Sequence, residues 1–163
     1  MSSEPSFRPA AESDAEVILE MMRDYYAFDG HAFDRARARE ALLAFLREPS
    51  YGRAWLILDG EATGGYIVLT LGYSLEYLGR DAFIDEFYLR KSHRGKGWGK
   101  LALAFVEDEA RSLSVRSIHL EVVRQNTGAQ EVYRRSGYAD HDHYLMTKWI
   151  ERRFLKPGSD AHG

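Results

Sequence analysis

The chain contains no cysteine. That excludes a disulfide framework, a thiolate metal site and a cysteine nucleophile. It also lacks any long apolar run. Ala54 to Leu58 and Tyr66 to Leu71 are among the longest, far short of the ~20 residues that span a bilayer. Nor is there an excess of charge of one sign: 22 Lys and Arg face 25 Asp and Glu, for a formal net charge of −3. Nothing global therefore draws the chain to nucleic acid or to an anionic membrane. Met1 to Pro9 is polar and carries Glu4, so no secretory signal is expected and a cytoplasmic protein is. Internal repeats, low-complexity stretches and internal linkers are absent as well. What is present is the material of one globule: 163 residues, 45% hydrophobic and 13% aromatic, enough to build a core and too aromatic for a disordered chain.

Periodicity supplies the elements. Phe7 to Ala11 reads as a first strand. Ser13 or Asp14 can cap a helix with Ala15, Ile18, Leu19, Met22 and Tyr26 at helical spacing, ended by Asp29-Gly30. A second helix runs from about Asp34 to Arg47, and Pro49 stops it. Trp55 to Leu58 and Gly65 to Tyr73 read as a hairpin turning at Asp59-Gly60-Glu61. Ala82 to Arg90 is a further strand, and a long helix follows it. Ser117 to Val123 is β-rich, Asn126 can cap a short helix to about Arg135, and Gly137 suits its left-handed C-terminal cap. Tyr138 to Ile150 alternates and is expected to return as one or two last strands. The order β-α-α-β-β-β-α-β-α-β predicts a mixed α/β (α+β) layered sheet, with one domain over 1–153 and a frayed tail over 154–163.

The most informative stretch is Arg94-Gly95-Lys96-Gly97-Trp98-Gly99-Lys100, between the Phe83 to Leu89 strand and an amphipathic helix. The first amides of a helix lack intrahelical partners, and its dipole places partial positive charge at the same end. Glycines let an anion approach the backbone, and Arg94, Lys96 and Lys100 add charge. A phosphate-bearing ligand is expected, with His93 a loop residue in reach of it. Two common phosphate loops fail on spacing. A dinucleotide fingerprint starting at Gly95 meets Lys100 at its last glycine position, and a nucleotide P-loop ending at Gly99-Lys100 meets Leu101 and begins at Arg94.

Arg94, Gly97 and Gly99 instead form Arg-x-x-Gly-x-Gly. Downstream, Leu120-Glu121-Val122 is followed by Asn126, Tyr133 and Gly137-Tyr138. With these two blocks in this order, residues 6 to 150 resemble the GNAT superfamily of N-acetyltransferases. The resemblance implies a GNAT-like acyl-CoA N-acyltransferase fold with acetyl-CoA as cosubstrate. Its pyrophosphate would lie on Arg94, Gly95, Lys96, Gly97, Trp98, Gly99 and Lys100. Pantetheine would lie on the Phe87, Tyr88 and Leu89 strand, chiefly on the backbone of Phe87 and Leu89, and on Asn126. The Tyr133 hydroxyl would stand near the thioester sulphur. Asn126 and Tyr133 are about two helical turns apart, so both are expected on one helix face.

Acetylation of an amine requires removal of a proton. A lysine-like amine, with a pKa of about 10.4, is neutral only about one time in 10³ to 10⁴ at pH 7, a handicap of roughly 4–5 kcal/mol. The candidate proton acceptors are Glu121, which resembles the base of the peptide-N-terminal branch, and Asp85 and Glu86 on the strand before the glycine turn. Neighbouring strand residues face opposite ways, so at most one of Asp85 and Glu86 should face a given pocket. A phenol pKa of about 10 against a thiol pKa of about 8.5 makes Tyr133 a proton donor to the leaving sulphur.

The implied reaction is direct attack of a primary amine on acetyl-CoA in a ternary complex. The aromatics and acids of Asp24 to Asp34 favour a small cationic acceptor, a polyamine or a lysine-like amine, over a peptide N-terminus. A noncatalytic acyl-CoA sensor on the same fold is the alternative. DNA binding through Arg90, Lys91, Arg94, Lys96 and Lys100 is set aside because the patch is compact and the chain acidic. Asp140-His141-Asp142-His143 has alternation but no partner ligands, so a polar edge strand is expected there and no metal. Pairing through late strands, common in the superfamily, would make a homodimer.

Overall fold

The structure, a computed structural model, describes residues 4–28 and 30–150. Asp29 and the expected tail over 154–163 lie outside the described residues. Strand β1 (Ser6–Pro9) leads through a short 3-10 turn at Glu12–Asp14 into α1 (Ala15–Phe28) and α2 (Arg35–Arg47). Strands β2 (Gly52–Asp59), β3 (Ala62–Ser74) and β4 (Gly79–Leu89) follow, then α3 (Trp98–Ser112), β5 (Ser117–His119) and α4 (Thr127–Arg135). The sheet runs β1-β2-β3-β4-β5 in space. Its first three pairings are antiparallel, and β4 with β5 is parallel.

Local chemistry explains the starts and stops. Asp14 accepts from Arg8 and from the Ala11 amide before α1. Asp34 caps α2 through the Arg37 amide, and Asn126 caps α4 through the Ala129 amide at 3.1 Å. Gly137 takes φ +92° just past α4, the left-handed stop expected of it. The sheet is covered on both faces, so its strands carry apolar runs rather than simple alternation. Trp55, Ile57, Ile67 and Leu69 pack on Ala102, Leu103 and Val106 of α3. On the other face, Leu56, Tyr66, Val68 and Tyr88 pack on Ile18, Leu19 and Met21 of α1 and Leu42 of α2.

One irregularity positions the site. Val68 pairs with Glu86 but Leu69 pairs with Ile84, which leaves Asp85 as an extra residue in β4. Such a bulge reverses the in-out alternation beyond it. Ala82 and Ile84 belong to the α3-side core, whereas past the bulge Phe87 and Leu89 pack there and Tyr88 belongs to the α1-side core.

The expected last strands do not form. Among the described residues no strand follows His119, and residues 139–150 are exposed throughout. A strand needs a ladder partner, and β5 offers only three residues before Leu120 leaves the sheet. Alternation in Tyr138 to Ile150 therefore has no template to pair with. Asp140 to His143 is exposed chain, and no group of three or more metal-type side chains converges among the described residues.

Candidate active site

The β4–β5 pairing covers only Asp81, Phe83 and the residue between them, set against Ser117–His119. Beyond Phe83 the two strands separate, so Ile84 to Leu89 has a β3 neighbour on one side and an open edge on the other. The Arg90 amide donates to the Gly64 carbonyl at 2.8 Å, which fixes the phase of the ladder. Alternate residues of a strand turn their peptide groups to opposite sides. Those of Tyr88 thus face β3, while those of Phe87 and Leu89 face the open edge. The Leu89 carbonyl, on that edge, accepts from Arg94 Nε at 2.8 Å. Tyr88, expected beside Phe87 and Leu89 as a contact residue, offers the edge neither its peptide groups nor its ring.

The glycine turn abuts this edge. Gly95 (φ +72°) and Gly97 (φ +79°) adopt left-handed backbone, and Gly97, at the N-cap of α3, gives the first turn no side-chain hydrogen bond. A Cβ at Gly95, Gly97 or Gly99 would meet nothing within 4 Å, so the space in front of these residues is open. Lys96 and Lys100 are exposed, while Trp98 is 2% exposed and belongs to the core. Only the backbone of Trp98 can serve a ligand there. Its indole anchors the turn beside His93, with ring centroids 4.9 Å apart. His93 is part of that anchor rather than a phosphate contact: its Nε2 lies 3.3 Å from Asp59 and its Nδ1 2.9 Å from Ser92 Oγ. The Arg94 guanidinium sits over the rings of Tyr88 (5.4 Å) and Phe28 (5.8 Å).

A groove of about 1200 Å³ lies beside β5 and α4, with Phe83, Glu121, Tyr133 and Tyr138 in its lining. Tyr133 packs on the α3-side core, and burial pushes its phenol pKa up. The ring of Tyr138 meets it at 5.9 Å, and the Tyr138 hydroxyl is buried without a partner among the described residues. Asn126 stands seven residues ahead of Tyr133, one position before α4 begins. It is the cap residue, with its Oδ1 committed to the Ala129 amide.

A second depression of about 360 Å³ lies at the bulge, lined by Tyr25, His31, Asp85 and Glu121 among others. Loss of hydration raises the Asp85 pKa. Glu86 is more deeply placed: desolvation raises its pKa, against the pull of hydrogen bonds from Tyr26 and Tyr66 and with a further push from Asp85. The Tyr66 hydroxyl donates to Glu86 Oε2 at 2.8 Å, and the Tyr26 hydroxyl donates to Oε1. Strict alternation would have set Asp85 and Glu86 on opposite faces. The bulge instead leaves them adjacent and electrostatically coupled. Sequence reasoning missed Tyr66, whose only signal was one hydroxyl inside an apolar run.

Residues 16–138 match the family described as "Acetyltransferase (GNAT) family". The chain belongs to the GNAT acetyltransferase family. It is 36% identical over 73 residues to the uncharacterized N-acetyltransferase YycN of Bacillus subtilis, a match spanning 45% of this chain and 47% of that protein, about half its length. It is 27% identical to the thialysine N-epsilon-acetyltransferase of Mus musculus over 90% of each chain. An integron cassette protein from a salt-marsh metagenome is 36% identical, with a TM-score of 0.79 over 89% of this chain and 90% of that one. A predicted acetyltransferase of Clostridium acetobutylicum, solved with acetyl-CoA, shares the fold at a TM-score of 0.75 and 16% identity, over 88% of this chain and 96% of that one.

The GNAT domain passes a physical test of fit for a phosphate-bearing thioester. Uncapped α3 amides face open glycine positions, two exposed lysines flank them, and the peptide groups of Phe87 and Leu89 sit on the adjoining open edge. Such a site suits a diphosphate followed by an amide-bearing chain.

Proposed function

We propose that this GNAT protein transfers the acetyl group of acetyl-CoA to the primary amine of a small cationic acceptor. The single observation that carries the reading is the junction of the open β4 edge with the uncapped, glycine-lined start of α3. Amides at that start, with Lys96, Lys100 and Arg94, would hold the pyrophosphate. Phe87 and Leu89 would bond the pantetheine amides. Acetyl-CoA supplies the activated acyl group and a thiolate leaving group.

Asp85 and Glu121 line the depression beside the bulge, and of the two Asp85 is the proposed proton acceptor. Its raised pKa makes it a stronger base than an ordinary Asp. It takes one proton from the bound ammonium, freeing the nitrogen lone pair to bond the acyl carbon as the carbon–sulphur bond breaks. Tyr133 gives its proton to the departing sulphur and recovers one from the nitrogen. Its raised pKa keeps the phenol protonated before the step and demands that prompt return. Lining acids and the Tyr25 ring favour a cation. The mouse relative, named for N-epsilon acetylation of thialysine, points to a side-chain amine.

The test is release of CoA thiol from acetyl-CoA in the presence of polyamines, lysine-like amines and peptide N-termini. Acceleration by cationic small amines over peptides is expected. Binding of acetyl-CoA without turnover of any amine would instead mark an acyl-CoA sensor.

A further inference from the structure

We propose that Glu86 is a positioning residue, a carboxylate clamp that uses Tyr26 and Tyr66 to fix the end of α1 against the β4 bulge and so sets where a cationic acceptor meets Asp85. The inference rests on the acetyl-transfer reading. It concerns the acceptor side alone.

Both carboxylate oxygens of Glu86 are engaged, one by the hydroxyl of Tyr26 on α1 and one by that of Tyr66 on β3. Tyr66 is fully buried between strands, so it is the fixed jaw. Tyr26 is the jaw that ties α1 to the sheet. It lies two residues from the end of α1, and its ring packs edge-on against Phe33 at 5.6 Å, just before α2. Its neighbour Tyr25 lines the depression together with Asp85 and His31. Backbone bonds from Gly30 to Ala27 and from His31 to Tyr26 also tie this end of α1 to the linker, the Tyr25 ring leans on Tyr88 at 6.0 Å, and Arg94 sits over Phe28. The His31 amide bonds the Tyr26 carbonyl and Tyr25 is the chain neighbour of Tyr26, so release of the Tyr26 side chain would remove one of the ties that hold this wall of the depression.

The bulge divides labour between two adjacent carboxylates. Without it Glu86 would project into the α3-side core. With it, Glu86 enters a cluster with Tyr26, Tyr66 and Asp85, the groups that act on its charge, while Asp85 stays at the depression. Each oxygen of Glu86 already accepts one phenol hydrogen bond, and it is Asp85, not Glu86, that lines the depression where an acceptor amine would sit. Glutamine at this position keeps one carbonyl acceptor but presents an NH2 donor in place of the other oxygen, so one phenol must reverse its hydrogen bond and the clamp loses its charge.

The test compares Tyr26→Phe, Glu86→Gln and the double variant with wild type, using acetyl-CoA and spermidine. Each single variant is expected to raise the KM for spermidine about tenfold, the loss of one hydrogen bond to a charged group. The kcat should stay within about threefold, and the acid limb of the pH–rate profile should stay in place. Affinity for CoA should remain within about twofold, and the double variant should add little to either single one. Amide exchange over Asp24 to Phe28 should speed up about tenfold in each variant.

Collapse of kcat with loss of the acid limb in Glu86→Gln would make Glu86 the proton acceptor and overturn the proposal. Wild-type KM and exchange in Tyr26→Phe would equally overturn it, and that variant decides should Glu86→Gln fail to fold. If wild-type protein binds CoA but acetylates no amine, acetyl transfer fails, and the exchange rates alone decide the clamp.

Discussion

Arg94 donates its Nε–H to the carbonyl of Leu89 at 2.8 Å, which ties the basic residue of the glycine turn to the open edge of β4. The guanidinium carbon lies 5.4 Å from the Tyr88 ring centre and 5.8 Å from that of Phe28. One side chain thus joins the diphosphate end of the proposed site to the end of α1, which borders the acceptor side. Replacement by alanine removes a charge-assisted contact worth about 1.5–3 kcal/mol. Arg94→Ala should weaken CoA binding roughly ten- to a hundredfold by calorimetry, and unchanged affinity would reject the pyrophosphate assignment.

Tyr133→Phe tests the proton donor. General acid catalysis is worth about 10²- to 10⁴-fold, so kcat should fall by at least about a hundredfold. Acetyl-CoA affinity should hardly change, because the ring still packs on the α3-side core. An undiminished kcat under saturating amine removes Tyr133 from the chemistry.

Gly97 and Gly99 make opposite predictions for stability. At φ +79°, Gly97→Ala should cost about 1–2 kcal/mol through backbone strain alone, since its Cβ would clash with nothing. Gly99 lies in the first turn of α3, where alanine is favoured by up to about 1 kcal/mol. Gly99→Ala should therefore keep or raise the Tm and yet weaken CoA binding, because its methyl enters the proposed cradle. Denaturation scans paired with titrations read both signs, and wild-type affinity in Gly99→Ala would place the diphosphate elsewhere.

Asp85 carries a pH signature. Its pKa is raised by desolvation. A carboxyl whose folded pKa exceeds its unfolded value of about 3.9 destabilises the fold progressively as pH rises through the folded pKa. Asp85→Asn should hence raise the Tm near neutral pH, with the gain vanishing below about pH 4, while turnover of amines is lost. In wild type, the rate should fall on acidification with a midpoint above the usual aspartate range. An acid limb unchanged by Asp85→Asn would transfer the base role to Glu121.

Trp98 should matter to the site only through the fold. It is 2% exposed and wedged beside His93 and Gly64. Trp98→Ala should cost about 3–5 kcal/mol. A variant with wild-type Tm but no CoA affinity would show that the indole contacts ligand directly.

Much of this was legible in the chain because it is local. Asp34 and Asn126 announce the starts of α2 and α4 by side-chain capping, Gly60 the hairpin turn and Gly137 the left-handed stop. Glycines spaced before an amphipathic run imply an anion site wherever the helix packs. The family resemblance, read from Arg94 to Gly99 and from Glu121 to Tyr138, agrees with the match over residues 16–138. Less legible was Tyr138 to Ile150, where alternation suggested strands that do not form among the described residues. His93 was equally opaque, since its commitment depends on Asp59, which lies on another element.

Order along the chain therefore determined the elements, the glycine-rich helix start and the inventory of candidate acids, because capping, turn chemistry and periodicity act between near neighbours. Tertiary structure alone decided that Asp85 is the unpaired residue of a bulge, that Glu86 turns inward to two tyrosines, and that β4 and β5 part after Phe83. Each of these depends on register between strands distant in sequence. A shift of one residue reverses every side chain beyond it, and no local pattern records that shift.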